Sequence, residues 1–247
     1  MKTNKEISQQ IPLVFETQNY MRSEDFMVSE CNREAYKMIS LWPAWVGSGI
    51  VIYGPEGCGK SHLAHILADR ITKSSEKPIK VSIVKAEQLT IARVKRLALE
   101  NPSIIIEDLS PKANAEALFH LFNIYNTPGR YMLWTASQAP SRIHFALKDL
   151  QSRLNMLPSF EIREPDDVML QTLIVKLFND RQLLISEEIL NYIINNAPRS
   201  FAYIRSLIEE IDYISLIRKT AVNYAIIKSA MDIVDRKKQQ EPDLFDN

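Results

Sequence analysis

The chain has 247 residues, 46% of them hydrophobic and 24% charged, enough to bury the core of one large domain or two modest ones. Lys plus Arg number 30 and Asp plus Glu number 30, so the formal net charge is zero, which argues against a protein whose main task is gripping nucleic-acid phosphates. The two cysteines, Cys31 and Cys58, show no metal-ligand spacing and speak against a disulfide framework. With no apolar run near the ~18–20 residues of a membrane span, the expectation is a cytoplasmic protein without membrane contact.

Residues 1–25 read as an extended lead. Within it, QIPLVF (Gln10 to Phe15) is a short apolar hook in polar surroundings. An extended peptide of this kind can place Ile11, Leu13 and Phe15 in an apolar pocket while the Gln10 amide makes directional hydrogen bonds at its rim. Pro12 stiffens the extended form. The alternative is a strap packed on the protein's own core.

Regular patterning begins near Phe26. NREAYKMISLW predicts a helix ended by Pro43, and Ile50–Gly54 is a short, β-branched, buried strand. Gly54 to Ser61 reads GPEGCGKS, a match to G-x-x-x-x-G-K-[ST] with a strand before it and a helix after it, Lys60 to about Thr72. Glycines at 54, 57 and 59 allow backbone turns that aim N–H groups at phosphate oxygens. Lys60 is expected to reach the β/γ-phosphates and Ser61 to ligate Mg²⁺. Cys58 and His62 lie within or beside this loop and join the expected nucleotide contacts. The Cys58 surroundings, a helix N-terminus and Lys60, favour a thiolate, but that position accepts almost any small residue and is read as structural. His62 and His65 are spaced for one helix face, and polar-face or packing roles outweigh a metal pair.

KSSEKP is a loop, Lys80–Val84 a second strand, and Glu87 to about Glu100 a helix. Ser103–Asp108 (SIIIED) is a strand apolar through its middle, as expected where both sheet faces are covered. Its terminal acids form a Walker B arrangement, Glu107 on the metal side and Asp108 on the water side. The order Glu–Asp lengthens the first reach and shortens the second, which suits nucleotide binding with weak intrinsic hydrolysis. Asn114–Asn126 is a helix stopped by TPG, Arg130–Ser137 a fourth strand, and Ser159–Ile162 a fifth. Strands alternating with helices predict an α/β fold, a three-layer P-loop core on a parallel sheet. After Pro165 strand signals end. Three or four amphipathic helices follow, over about Asp167–Asp180, Ser186–Asn196, Phe201–Arg218 and Val222–Lys237, a small all-α lid. The expected division is 1–25, 26–164, 165–238 and a polar tail at 239–247, in which EPDLF is a weaker hook-like peptide with Glu in place of Gln, read more simply as chance. The basic run at 236–238 suits a helix C-terminus.

On DFMVSECNREAY, LWPAWVGSGIVIYGPEGCGKSHLAHILAD, SIIIEDLS, LWTASQAP, LQSRL and the RSF-to-LIEEID stretch (Arg199 to Asp212), the chain resembles the DnaA-related AAA+ ATPases. Within them it is most similar to the Hda-type regulatory inactivators of DnaA of alphaproteobacterial kind, from about Gln10 to Asp235. The resemblance implies a sensor 1 residue at Ser137 or Thr135, although the family often has an acid at the former. It implies a trans-acting arginine finger at Arg153, and a sensor 2 arginine in the lid. Ala202 occupies the usual sensor 2 place, with Arg199 and Arg205 flanking it and Arg199 the better fit. It implies that QIPLVF, through Gln10, Ile11, Leu13 and Phe15, binds the sliding clamp, the β subunit of DNA polymerase III. ADP or ATP and Mg²⁺ are the implied cofactors. DnaA is the implied partner, DNA is touched only through the clamp, and a homodimer is compatible. Nine residues follow Lys238, so no helix-turn-helix DNA reader is expected, which points to a regulator of replication initiation. The alternative is a self-assembling AAA+ ATPase that remodels or loads a partner such as a helicase.

Overall fold

Central strands whose side chains are apolar on both faces must be covered twice, and this requirement sets the architecture. The structure is a computed structural model and describes residues 26–74 and 79–240. The strands β1 (Gly49–Tyr53), β2 (Val81–Lys85), β3 (Ser103–Leu109), β4 (Tyr131–Ala136) and β5 (Ser159–Glu161) form one sheet in the order β2-β3-β4-β1-β5. Every pairing is parallel, as the alternation of strand and helix signals predicts. Period-2 geometry divides the strand residues between two cores. Ile50, Ile52, Ile105 and Leu133 pack under α1 (Arg33–Leu41) and α2 (Lys60–Lys73). Val51, Ile104, Ile106 and Trp134 face α3 (Ile91–Glu100), α4 (Ala115–Tyr125) and α5 (Lys148–Met156).

Two expectations need correction here. The helix predicted from Glu87 is two pieces: a short 3-10 turn at Ala86–Gln88, then α3 from Ile91. Thr90 makes the break, because its side chain accepts from the Arg93 backbone N–H and its extended backbone caps the second helix. The segment around QSRL, whose two leucines make no helical period, also folds as a helix, α5.

The second unit comprises α6 (Asp167–Asp180), α7 (Glu187–Asn196), α8 (Phe201–Arg218) and α9 (Tyr224–Gln240). Asp166, Ser186 and Ser200 cap the first three, each accepting from a backbone N–H three residues on. Ile204, Leu207, Ile208, Ile211 and Ile214 of α8 are all buried against α6, α7 and α9, as their helical spacing predicts. The last helix begins at Tyr224 rather than Val222, because Asn223 caps it by accepting from the backbone N–H groups of Ala225 and Ile226. Among the described residues no helix is long and apolar enough to cross a membrane.

Candidate functional site

The loop between β1 and α2 gathers the largest share of the predicted residues. Gly57 and Gly59 have φ of +68° and +104°, the left-handed region that side chains avoid, and Gly59 is the N-cap of α2. The helix therefore opens directly on the loop with its N–H groups and positive end facing it. Lys60 Nζ donates to the carbonyls of Gly54 (2.9 Å) and Pro55 (2.8 Å), so the ammonium lies over the arc it is expected to serve. Ser61 follows in the first turn and is buried. His62 is buried with its ring edge-on to Phe26, centroids 5.1 Å apart, and Phe26 stacks on Tyr36. His65 is exposed.

The Cys58 side chain is 1% exposed and packs beside Gly54, in the core under α1 and α2. Burial pushes its thiol pKa up, and the nearby Lys60 charge only partly offsets this. The thiolate fraction at neutral pH is thus smaller than that of an ordinary cysteine. Alkylation by iodoacetamide at pH 7 should be slow at Cys58 in the folded protein and rapid after denaturation. Peptide mass spectrometry would read this, and fast labelling of the folded chain would contradict the burial argument.

The two acids at the end of β3 diverge. Glu107 is 9% exposed, and its Oε1 is a buried oxygen with no hydrogen-bond partner. Asp108 has φ of +56° at an irregularity in the β3–β4 register between Ile106 and Leu109. Its backbone N–H donates to Thr135 Oγ1 at 3.2 Å, and its carboxylate pairs with Lys85 Nζ at 3.8 Å. Of the two sensor 1 candidates, Thr135 is 1% exposed and in contact with Asp108, whereas Ser137 lies exposed beyond the strand.

Arg153 sits on α5, in the layer across the sheet from α2. Its guanidinium lies over the rings of Phe119 (5.3 Å) and Phe122 (5.7 Å) on α4. Among the described residues it makes no ion pair. Arg199 pairs with Asp167 at 2.6 Å and reaches the Pro165 carbonyl, which ties the start of α6 to the α7–α8 junction. Ser200 and Ala202 of the lid both come within 3.4 Å of where a Cβ on Gly57 would lie. Arg205 lies on α8 near Glu209. Gln10, Ile11, Leu13 and Phe15 lie outside the described residues.

Sequence reading missed the joint between lid and loop. The Phe201 backbone N–H, at the start of α8, donates to the Gly57 carbonyl at 3.0 Å. Lys238 on α9 pairs with Glu56 of the loop at 3.6 Å. Neither contact has a local signal, because both join segments far apart in the chain. The Glu–Gly pair inside GPEGCGKS was available only as loop composition.

A strand, a left-handed glycine turn, a helix N-terminus with Lys and Ser, a neighbouring acid-tipped strand and a lid seated on the loop define a P-loop α/β protein of AAA+ type. Residues 17–158 match the bacterial DnaA ATPase domain model, more than half of the chain, and the chain belongs to that family. The chromosomal replication initiator protein DnaA of Lachnoclostridium phytofermentans is 24% identical over 223 residues, covering 82% of this chain and 49% of that protein. The chain spans about half the length of the curated initiators it matches. Domain III of the Thermotoga maritima replication initiation protein DnaA superposes with a TM-score of 0.75 at 18% identity, over 88% of this chain and 98% of that one. AMPPCP-bound DnaA from Aquifex aeolicus superposes with a TM-score of 0.65 at 20% identity, over 92% of this chain and 71% of that one.

Proposed function

We propose that this protein is a regulator of replication initiation that acts on DnaA rather than an initiator itself. It binds ADP or ATP at the P-loop, docks on the DNA-loaded sliding clamp through Gln10, Ile11, Leu13 and Phe15, and presents Arg153 to the nucleotide of DnaA. Stimulated hydrolysis of DnaA-bound ATP then prevents re-initiation. The observation that carries this reading is Arg153. A half-buried guanidinium is normally paired, yet this one is stacked on Phe119 and Phe122 with no anion beside it among the described residues. Stacking fixes the planar fork and leaves its N–H donors for a group that another molecule supplies.

The residues at the phosphate loop fit Mg²⁺. An unpartnered buried carboxylate oxygen on Glu107 is costly unless a cation or proton satisfies it. With the Ser61 hydroxyl it would hold the ion, which supplies charge neutralisation for the β- and γ-phosphates. Lys60, drawn from the Gly54 and Pro55 carbonyls, would cradle the phosphates. The lid, joined to Gly57, orders the surface offered to DnaA.

The test follows hydrolysis of DnaA-bound ATP with DNA-loaded clamp and the full chain. Wild type should accelerate it. A Gln10→Ala, Phe15→Ala variant should lose clamp affinity by roughly 30-fold or more, if the hook contains hot-spot anchors, and stimulation should fall with it. If wild type leaves DnaA-bound ATP untouched while turning over ATP briskly alone, the self-assembling ATPase takes its place.

A further inference from the structure

The helical unit ends in an apolar face that no other element covers among the described residues. Tyr213, Leu216 and Ile217 stand at i, i+3 and i+4 on α8, one stripe of the helix, and all are exposed, Leu216 by 64%. Tyr224, also exposed, opens α9 across the 219–223 turn and extends the face at the same end of the unit. The opposite side of α8 already fills the core with Ile204, Leu207, Ile208 and Ile211, so these four side chains are left over from packing. Cations rim the face. Arg218 and Lys219 follow Ile217 directly, and Lys228 lies one turn on from Tyr224. All three are exposed, and none makes an ion pair among the described residues. The nearby acids of α8 are taken: Arg181 holds Glu209 at 3.7 Å and Asp212 at 3.9 Å, and Lys237 pairs with Glu210. An apolar centre with a positive rim suits an acidic peptide that carries apolar anchors.

The chain itself carries such a peptide. EPDLFDN, residues 241–247, follows α9 and lies outside the described residues; it sets Leu244 and Phe245 among three carboxylates, Glu241, Asp243 and Asp246. Reach decides between its own unit and another. α9 runs 17 residues, about 25 Å, from Tyr224 at the patch to Gln240. Lys238, near the far end, pairs with Glu56 at 3.6 Å, so the tail departs from the phosphate-loop side of the unit. Leu244 stands four residues past Gln240, a span of at most about 14 Å, and cannot meet the patch of its own chain. We infer that segment 241–247 docks on the face formed by Tyr213, Leu216, Ile217 and Tyr224 of a second copy of this chain. Leu244 and Phe245 lie against the apolar centre, and the three carboxylates face Arg218, Lys219 and Lys228. Two copies that exchange tails close a symmetric pair in which each contact occurs twice. The pairing needs neither nucleotide nor clamp.

Sedimentation velocity of the full chain, from about 1 to 100 µM, tests this. Wild type should show a monomer–dimer equilibrium that weakens as salt rises from roughly 0.1 to 1 M. Two double variants separate the partners: Leu244→Ser with Phe245→Ser in the tail, and Leu216→Ser with Ile217→Ser on the exposed face. Each should weaken the dimer by about 10-fold or more, with a circular dichroism spectrum equal to that of wild type. Mixed in equal amounts, the two variants should associate more strongly than either does alone. The intact tail of the face variant then meets the intact face of the tail variant. A wild-type chain that stays monomeric throughout overturns the inference. So does a dimer indifferent to either pair of substitutions, or a mixture no stronger than its components. Binding of phosphatidylserine vesicles through Leu216 and Ile217, without a dimer, would assign the face to a membrane and overturn it equally.

Discussion

Arg153→Ala is expected to abolish the stimulation of DnaA-bound ATP hydrolysis, a loss of about 10³-fold or more in the stimulated rate, while leaving the fold intact. The size follows from what a finger does. It brings fixed positive charge to a transition state from which water has been excluded, where charge is worth most. The fold should survive because α5 is anchored elsewhere. Leu150 and Leu154 are fully buried, Gln151 Nε2 donates to the Pro140 carbonyl at 2.9 Å, and Gln151 Oε1 accepts from the Phe145 N–H at 3.1 Å. Arg153→Lys should fail almost as badly, since an ammonium has no planar fork to stack on Phe119 and Phe122 or to bridge two phosphate oxygens. Single-turnover hydrolysis with loaded clamp would measure both. A wild-type rate from Arg153→Ala would sink the finger assignment.

Gly54→Ala should destabilise the whole protein by about 2–4 kcal/mol, seen as a fall in Tm of roughly 5–15 °C. A Cβ there would lie less than 3.0 Å from the Ile162 carbonyl oxygen, a backbone atom with no rotamer to retreat into. Both sides of this approach are pinned. The Gly54 N–H donates to the Ala136 carbonyl at 3.1 Å, and the Ile162 N–H donates to the Tyr53 carbonyl at 2.7 Å. Separating them strains one ladder or the other. Gly54 is not among the positive-φ glycines, so the cost is steric rather than torsional. Calorimetry of the two proteins would decide, and a Tm within about 1 °C of wild type would refute the close-approach argument.

How much was legible follows from which forces act locally. The β3 run Ile104–Ile106 announces a strand buried on both faces, and the lid isoleucines announce a helix face, because burial imposes periodicity on the chain itself. The phosphate loop is legible because left-handed turns and close approaches admit only glycine, as at Gly54, Gly57 and Gly59. The helix α5 was not, since Leu150 and Leu154 are its only buried residues and two leucines make no period. Glu107 was legible as an acid at a strand end, but not as an oxygen without a partner. The Lys85–Asp108 pair, the stacking of Arg153 on Phe119 and the Thr135–Asp108 bond join side chains across strands or layers. Such contacts depend on register and packing, which leave no mark on nearest neighbours.

The seam between the α/β core and the helical unit is conventionally where one would cut the chain. Here the amide that opens α8 ends on a carbonyl of the glycine turn, and the serine that caps α8 fills the space a side chain on Gly57 would need. The two units therefore share one mechanical part. Tilting the helices bends the turn, and reshaping the turn tilts the helices. A fragment ending at the seam is not a smaller copy of the nucleotide domain but a different object, with one wall of its turn removed. By the same linkage, any partner that grips the helices handles the phosphate loop at a distance.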